Sequence, residues 1–219
     1  MNTRKSIPAT PPEDVAKVIA KGRKVHPEMA LYLWLVAITG ARRGELCALQ
    51  VCDVDLDKGI LHIAFNYVVA GGRRVRKDTK THQDRYLAID QVTCAMIGEH
   101  LDTVRARLAD VVVELPEDAY VFSNDLMGAK PWNPDWATHQ ASDLATAAGV
   151  KLNIKGLRHY TASQLLAARF DLRNTAARLG HGSGGVTTLR HYADPVSEVD
   201  RRAAAYLAQL TAGSGAQSD

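Results

Sequence analysis

The chain has few cysteines, no long hydrophobic run and only a small excess of positive charge. Its three cysteines, Cys47, Cys52 and Cys94, are odd in number and lack metal-ligand spacing, so the sequence predicts reduced thiols rather than a disulfide framework. No apolar run approaches the ~20 residues that a membrane-spanning helix needs, and the first residues lack the apolar segment of a secretory signal. We therefore expect a cytoplasmic protein without a membrane partner.

The net charge of +3 is too small for bulk charge to attract a polyanion, so any contact with nucleic acid must come from clustered basic residues. A hydrophobic content of 46% supports a large core, and the length suits one large domain or two small ones. The pattern predicts a basic linker at residues 1–9, a folded region at 10–211 and a polar, disordered tail at 212–219.

Helical periodicity dominates the folded region, which indicates an α+β, mainly α-helical fold. The first helix should run from a capping box at Thr10 and Glu13 to about residue 24. The second, from about Pro27, is apolar nearly all round and is expected at the centre of the core. Later helices are predicted over residues 90–109, 136–148, 174–179 and 196–210, with a short strand at 120–122.

Between residues 53 and 89 the pattern becomes extended, with turn signals around two glycine-containing segments. The simplest arrangement is a small three-stranded antiparallel sheet, with strands over residues 56–65, 67–76 and 84–89. The last hairpin is strongly basic and places Lys80 near its tip. Such a cluster is about as often a solvated edge strand as a DNA-contacting finger. The residues expected to contact DNA are Arg73, Arg74, Arg76 and Lys77, with Arg85 in the same basic cluster.

The segment after the second helix contains the first candidate for a phosphate-binding group. Gly40 should end that helix and place Arg42 on the following turn. Glu45, three residues further on, could hold Arg42 by an ion pair on one helix face. An arginine at a helix C-terminus is about as often only a partner of the helix dipole, and the adjacent Arg43 competes for any functional role.

Residues 154–192 concentrate the side chains that an attack on a phosphodiester requires. Arg158 is a planar, permanently charged fork that fits a phosphate edge, and its position predicts a guanidinium at the start of a helix. His181 follows a helix stop at Gly180, and Tyr192 ends a short amphipathic segment. An arginine, a histidine and a tyrosine around one anion suggest phosphoryl transfer with tyrosine as the nucleophile.

Five local patterns occur in a fixed order along the chain. They are TGARRGEL at residues 39–46, DTKT at 78–81, GLRH at 156–159, LGHG at 179–182 and Tyr192. Together they resemble the tyrosine recombinase (phage integrase) family over about residues 8–210, which is the catalytic domain of that family. The glycine-rich segment at 182–185 is similar to actinobacterial and mycobacteriophage integrases.

The resemblance implies a role for each of these residues. Arg42 and Arg158 would clamp the non-bridging oxygens, Lys80 would protonate the departing 5′ oxygen, and Tyr192 would form a 3′-phosphotyrosine. His181 would bond a phosphate oxygen or help to take the tyrosine proton. The sequence departs from the family at Lys155, where a histidine is usual, so Lys155 would be a proton donor or phosphate contact rather than a base. No metal, cofactor or ATP is implied.

The resemblance also implies partners, namely double-stranded DNA attachment sites in a bacterial host and a homotetramer on DNA formed from monomers. The helix at 196–210 would dock on a neighbouring subunit or pack within its own chain. Family members carry a separate core-binding domain, so we expect this chain to be a fragment or to have lost that part of the DNA clamp.

Two other functions remain open from the sequence. A type IB topoisomerase resembles the same residue set and shares the first half-reaction, while Lys155 is the main support for a non-catalytic DNA-binding regulator. A metal site at His159, His181 and His191 is disfavoured, because these residues lack i,i+4 spacing and a carboxylate. His159 is instead expected to be buried and hydrogen-bonded.

Overall fold

The structure, a computed structural model, describes residues 10–70, 73–78, 84–180 and 197–213. The helices are α1 (Pro12–Val25), α2 (Pro27–Thr39), α3 (Arg43–Cys47), α4 (Gln91–Ala109), α5 (Pro134–Ala147), α6 (Ile154–Ala167), α7 (Leu172–Leu179) and α8 (Glu198–Ala212). The strands are β1 (Val54–Asp55), β2 (Ile60–Ile63), β3 (Phe65–Ala70), β4 (Arg73–Asp78) and β5 (Arg85–Ala88). The predicted α+β, mainly α-helical fold is confirmed. Within these ranges no helix has both the length and the hydrophobicity to cross a bilayer.

The apolar helix α2 lies at the centre of the core, as predicted. Every residue from Met29 to Thr39 is buried, and α1, α6 and α8 pack against the helix. It ends at Gly40, whose left-handed φ of 63° a side chain would strain. A Cβ on Gly40 would also lie 2.3 Å from Leu179 Cδ2, so a side chain here would displace this leucine of α7.

The three-stranded antiparallel sheet is confirmed, although its strands differ from those predicted. β2 is the central strand and pairs with β1 and β5, whereas β3 and β4 form a separate two-stranded sheet. The predicted strand at 56–65 begins only at Ile60, because residues 56–59 form a turn with a hydrogen bond from Lys58 N to Asp55 Oδ1, and it ends at Ile63. β3 and β4 pair from Phe65↔Asp78 to Ala70↔Arg73.

Two local predictions are wrong. The N-cap of α1 is Pro11 rather than Thr10, and it makes no side-chain capping bond, so the capping box with Glu13 does not form. The helix starts one residue later than that box requires. Residues 120–122 do not form a strand, because Tyr120 makes only an isolated bridge with Gln50.

Helix α8 packs within its own chain, against α1, α2 and α6. Its buried side chains are small or aliphatic: Ala203, Ala204, Leu207, Ala208 and Thr211. The sequence left open whether this helix docks on a neighbouring subunit or packs within its own chain. In the structure it packs within its own chain. The helix extends to Ala212, the first residue of the predicted tail, and residues 214–219 lie outside the described ranges.

Candidate active site

Arg42 occupies the N-cap of α3, directly after the turn that ends α2. Its Nη1 lies 2.6 Å from Glu45 Oε1, and its backbone N–H donates to Glu45 Oε2 at 2.8 Å. The predicted ion pair is therefore present. Its Nη2 donates to the carbonyl of Gly180 at 3.1 Å, so the side chain reaches from α3 to the end of α7.

Arg158 lies on the second turn of α6, and its guanidinium does not point to a helix start as predicted. Nη1 donates to the carbonyl of Gly40, and Nη2 donates to the carbonyl of Leu179 at 2.5 Å. The arginine thus bridges the C-terminal ends of α2 and α7. The buried face of α6 includes Leu165, whereas Leu166 is 44% exposed.

Arg42 and Arg158 therefore meet at the end of α7, where they bond to the carbonyls of consecutive residues. Helix C-terminal carbonyls carry partial negative charge, which favours cations there. Burial, together with repulsion from Arg42, lowers the pKa of Arg158 to about 10, so its guanidinium is still charged at neutral pH. Among the described residues, Arg158 bonds to carbonyl oxygens and to no carboxylate, so its charge is available to an anion.

Glu45 is the buried carboxylate that connects Arg42 to the core, with 2% of its surface exposed. Burial alone would raise its pKa, but the charges and hydrogen bonds of Arg85 and Arg42 outweigh burial and lower the pKa to about 2. Glu45 is consequently ionised at neutral pH. It accepts hydrogen bonds from two arginines at once.

The sequence groups the second of these arginines, Arg85, with the basic hairpin, either a solvated edge or a DNA-contacting finger, and this grouping is wrong. It is only 4% exposed and lies on β5, with Nη2 at 2.7 Å and Nη1 at 3.3 Å from the two Glu45 oxygens. Its Nε donates to the carbonyl of Arg178 at 3.0 Å. The alternation along β5 is the signal that was missed, because Arg85 shares the buried face of the strand with Leu87 while Tyr86 is exposed.

A second buried ion pair, between Arg178 and Asp200, fixes the position of α7. Arg178 Nη2 donates to the carbonyls of Ile38 and Ala88, each at 3.0 Å, and Nη1 contacts Asp200 Oδ1. Asp200 Oδ2 in turn accepts from Ala88 N at 2.6 Å. The pair thereby joins α7, α2, β5 and α8.

Of the remaining predicted residues, some lie within the described ranges and some lie outside them. Lys155 is exposed on the first turn of α6, three residues before Arg158 and so on a neighbouring part of the helix surface. His159 is exposed, so its predicted burial is wrong. The residues that lie outside the described ranges are Lys80, His181 and Tyr192. The strand backbone of Arg73, Arg74, Arg76 and Lys77 is described, but their side chains are not.

Arg43, the competing arginine, points away from the cluster of Arg42 and Arg158. Its Nη1 lies 2.9 Å from Asp135 Oδ1 and 3.0 Å from Thr138 Oγ1, both on α5. The cluster therefore contains Arg42 and not its neighbour. No group of three or more histidines, cysteines or acidic residues in the described ranges is arranged to hold a metal ion.

The sequence of the chain is similar to those of known proteins. Residues 12–198 match the family model of the phage integrase family. The chain belongs to the phage integrase family. It is 29% identical over 178 residues to tyrosine recombinase XerA of Pyrococcus furiosus, which covers 81% of this chain and 54% of that protein. It is 30% identical over 146 residues to tyrosine recombinase XerC of Halalkalibacterium halodurans, covering 65% of this chain and 43% of that protein.

Solved structures show the same fold at low sequence identity. The integrase from mycobacterium phage Brujita has a TM-score of 0.66 at 18% identity and covers 95% of this chain and 60% of that one. The Tn1549 transposon integrase in complex with a circular intermediate DNA has a TM-score of 0.67 at 16% identity, covering 92% and 67%. This phage integrase family chain spans about half the length of the curated relatives it matches.

Proposed function

We propose that this chain is the catalytic domain of a site-specific DNA recombinase that cuts and rejoins strands through a 3′-phosphotyrosyl intermediate. One observation carries the proposal. The guanidiniums of Arg42 and Arg158 meet at the carbonyls of Gly180 and Leu179, directly before His181 in the sequence. A phosphodiester is an anion, and paired guanidiniums match its two non-bridging oxygens.

The two arginines would act mainly in the transition state. As a nucleophile adds to phosphorus, negative charge grows on the non-bridging oxygens, and Arg42 and Arg158 would stabilise it from two sides. Loss of one such donor typically slows a reaction by about 10²- to 10³-fold. Glu45 would hold Arg42 in place, since its ionised carboxylate bonds both the side chain and the backbone of Arg42.

The three motif residues outside the described ranges would make and break the bonds of the reaction. The Tyr192 oxygen would bond to phosphorus as the P–O5′ bond breaks, with Lys80 giving a proton to the departing 5′ oxygen. His181 would bond a phosphate oxygen or help to remove the tyrosine proton. Lys155, exposed beside Arg158 on α6, would contact the phosphate or donate a proton. A second DNA 5′-hydroxyl would reverse the step, because the phosphotyrosine stores the bond energy.

The proposed partner is double-stranded DNA at attachment sites, with four copies of the protein assembling on two duplexes and a monomer in the absence of DNA. The fold neighbours include an integrase and a recombinase whose structures were solved with DNA, which supports the DNA partner. Because the chain spans about half of its curated relatives, the proposal concerns the catalytic step.

The decisive experiment traps the covalent intermediate. The chain is first incubated with fragmented genomic DNA from its source, and fragments that remain attached to protein in detergent are sequenced to find the cut site. A duplex with that site and a nick beside it then loses its short 5′-hydroxyl strand after cleavage, so that the adduct accumulates. We expect an adduct with the wild type and with Tyr206→Phe, and none with Tyr192→Phe. An adduct that persists in Tyr192→Phe would reject Tyr192 as the nucleophile.

Two alternative functions predict different results in assays of covalent trapping, supercoil relaxation and strand exchange. A type IB topoisomerase would form the adduct and relax supercoils but would not exchange strands between duplexes. A non-catalytic regulator, which the lysine at position 155 favours, would bind DNA. It would form no adduct, either as the wild type or as Tyr192→Phe.

A further inference from the structure

Arg85 is a buried guanidinium that contacts two elements of the candidate site from a third. It lies on β5, and its Nη2 and Nη1 face the two oxygens of Glu45 on α3. Its Nε donates to the carbonyl of Arg178 on the last turn of α7. None of the five sequence motifs contains this residue.

The first contact determines where Arg42 can be. Glu45 Oε1 accepts from Arg42 Nη1 at 2.6 Å and from Arg85 Nη1 at 3.3 Å, while Oε2 accepts from Arg42 N at 2.8 Å and Arg85 Nη2 at 2.7 Å. The two guanidiniums therefore share one carboxylate. With Arg85 in place, Arg42 has a free face, consistent with the 44% exposure of its side chain. Without Arg85, the full charge of Glu45 would draw Arg42 inward.

The second contact determines where the end of α7 can be. Arg85 bonds to the Arg178 carbonyl, and the next two carbonyls, of Leu179 and Gly180, accept from Arg158 and Arg42. A Cβ on Gly180 would lie 2.8 Å from Arg85 Nη1, so the helix end lies directly against the guanidinium. Arg85 thus supports the helix end to which Arg42 and Arg158 are hydrogen-bonded.

We propose that Arg85 is a positioning residue for the reaction, because it fixes Glu45 and the last turn of α7 and through them the directions of Arg42 and Arg158. The inference rests on the proposed function. It requires arginine in particular, since a planar fork reaches two carboxylate oxygens and a carbonyl at once and a lysine ammonium does not.

The test uses Arg85→Lys, which keeps a positive charge beside Glu45 so that the carboxylate is not left uncompensated. Covalent trapping on the nicked substrate should slow by about 10- to 100-fold, less than for loss of a direct phosphate contact. The matched control is Arg43→Lys, which changes an arginine bonded to Asp135 and Thr138 on α5 without touching Glu45, and its rate should stay within a few-fold of wild type. All rates are measured at a temperature at which circular dichroism shows each variant folded.

A double-variant measurement separates positioning from general destabilisation. Because Arg85 acts partly through Arg42 and partly through Arg158, the loss for Arg85→Lys combined with Arg42→Lys should be smaller than the product of the two single losses. Fully multiplicative losses would overturn the proposal, as would a folded Arg85→Lys that reacts at the wild-type rate. Where Arg85→Lys does not fold, Arg85→Gln with Glu45→Gln removes both charges together, and it should react more slowly than Glu45→Gln alone because the contact with the Arg178 carbonyl is also lost; an equal rate overturns the proposal.

The outcomes also distinguish the two levels of inference. Failure of the wild-type chain to form any adduct rejects the proposed function, and the role of Arg85 with it. A normal wild-type adduct with an unaffected Arg85→Lys rejects only the positioning role.

Discussion

The guanidiniums of Arg42 and Arg158 donate hydrogen bonds to the carbonyls of two consecutive residues, Gly180 and Leu179. The two arginines are 116 residues apart in the sequence and come from different helices, so their proximity is produced by the end of α7. That helix end is in turn held by Arg85 and by the Arg178–Asp200 pair. The buried ion pairs therefore determine how far apart Arg42 and Arg158 lie.

Replacement of either clamp arginine by lysine should slow covalent trapping by about 10²- to 10³-fold, because an ammonium cannot match two phosphate oxygens or keep the carbonyl contact. Trapping on the nicked substrate measures the rate, and a filter-binding assay measures DNA affinity. The matched control is Arg43→Lys, since Arg43 bonds to Asp135 and Thr138 on α5. Equal losses for Arg43→Lys and Arg42→Lys would contradict the assignment.

Local sequence signals were sufficient for the parts of the site that depend on a few neighbouring residues. The stop at Gly40, the stop at Gly180 and the Arg42–Glu45 pair follow from left-handed turns and i,i+3 spacing, and all are present. The apolar helix α2 is equally local, because its composition alone requires burial.

The buried arginines could not be predicted in the same way. Arg85 and Arg178 look like ordinary basic surface residues, and their burial depends on a carboxylate 40 residues away for Arg85 and 22 residues away for Arg178. Likewise, the direction of the Arg158 guanidinium depends on where α2 and α7 end, not on α6 itself. Long-range pairing of charges leaves only weak traces in a single sequence.

DNA binding by this chain should be weak and strongly dependent on salt, because phosphate contacts release counterions. The cluster on β4, composed of Arg73, Arg74, Arg76 and Lys77, is the sequence-based candidate for these contacts. Each residue that binds a phosphate contributes about 0.9 to the slope of log affinity against log salt, so Arg74→Gln should lower the slope by about that amount. Fluorescence anisotropy at several salt concentrations measures it, with Arg105→Gln on α4 as the control. Tight binding that ignores ionic strength would contradict the proposal.

Removal of Asp200 should destabilise the fold strongly. Arg178 is 2% exposed and Asp200 is its carboxylate partner, so Asp200→Ala leaves a buried charge uncompensated and also removes the acceptor of Ala88 N. Breaking such a pair costs about 3–5 kcal/mol. Urea unfolding followed by circular dichroism measures the change, and Asp102→Ala, which removes an exposed pair with Arg105, should cost under about 1 kcal/mol. Similar costs for the two variants would show that the Arg178–Asp200 pair is not effectively buried.

His62 should make the stability of the small sheet depend on pH. Its ring lies between two carboxylates, with Nδ1 at 3.5 Å from Asp53 Oδ1 and Nε2 at 3.2 Å from Asp84 Oδ2, and it stacks on Tyr86 at 4.4 Å between ring centroids. The hydrogen bond with Asp53 raises the pKa of His62, burial opposes this, and Asp84 adds to the increase. The protonated ring is therefore more favourable in the folded state than in the unfolded chain.

The sign of the effect follows from this direction. Because the folded pKa lies above the unfolded value, the stabilisation by His62 is fully present below the unfolded pKa and is lost as pH rises through the folded pKa. We expect His62→Gln to cost about 0.2–1 kcal/mol near pH 5.5, the range for partly exposed ion pairs, and much less near pH 8.5. Urea unfolding of both proteins at the two pH values measures the difference, and His139→Gln, an exposed histidine on α5, is the control. A cost that grows with increasing pH would mean that the fold favours the neutral ring and not the imidazolium.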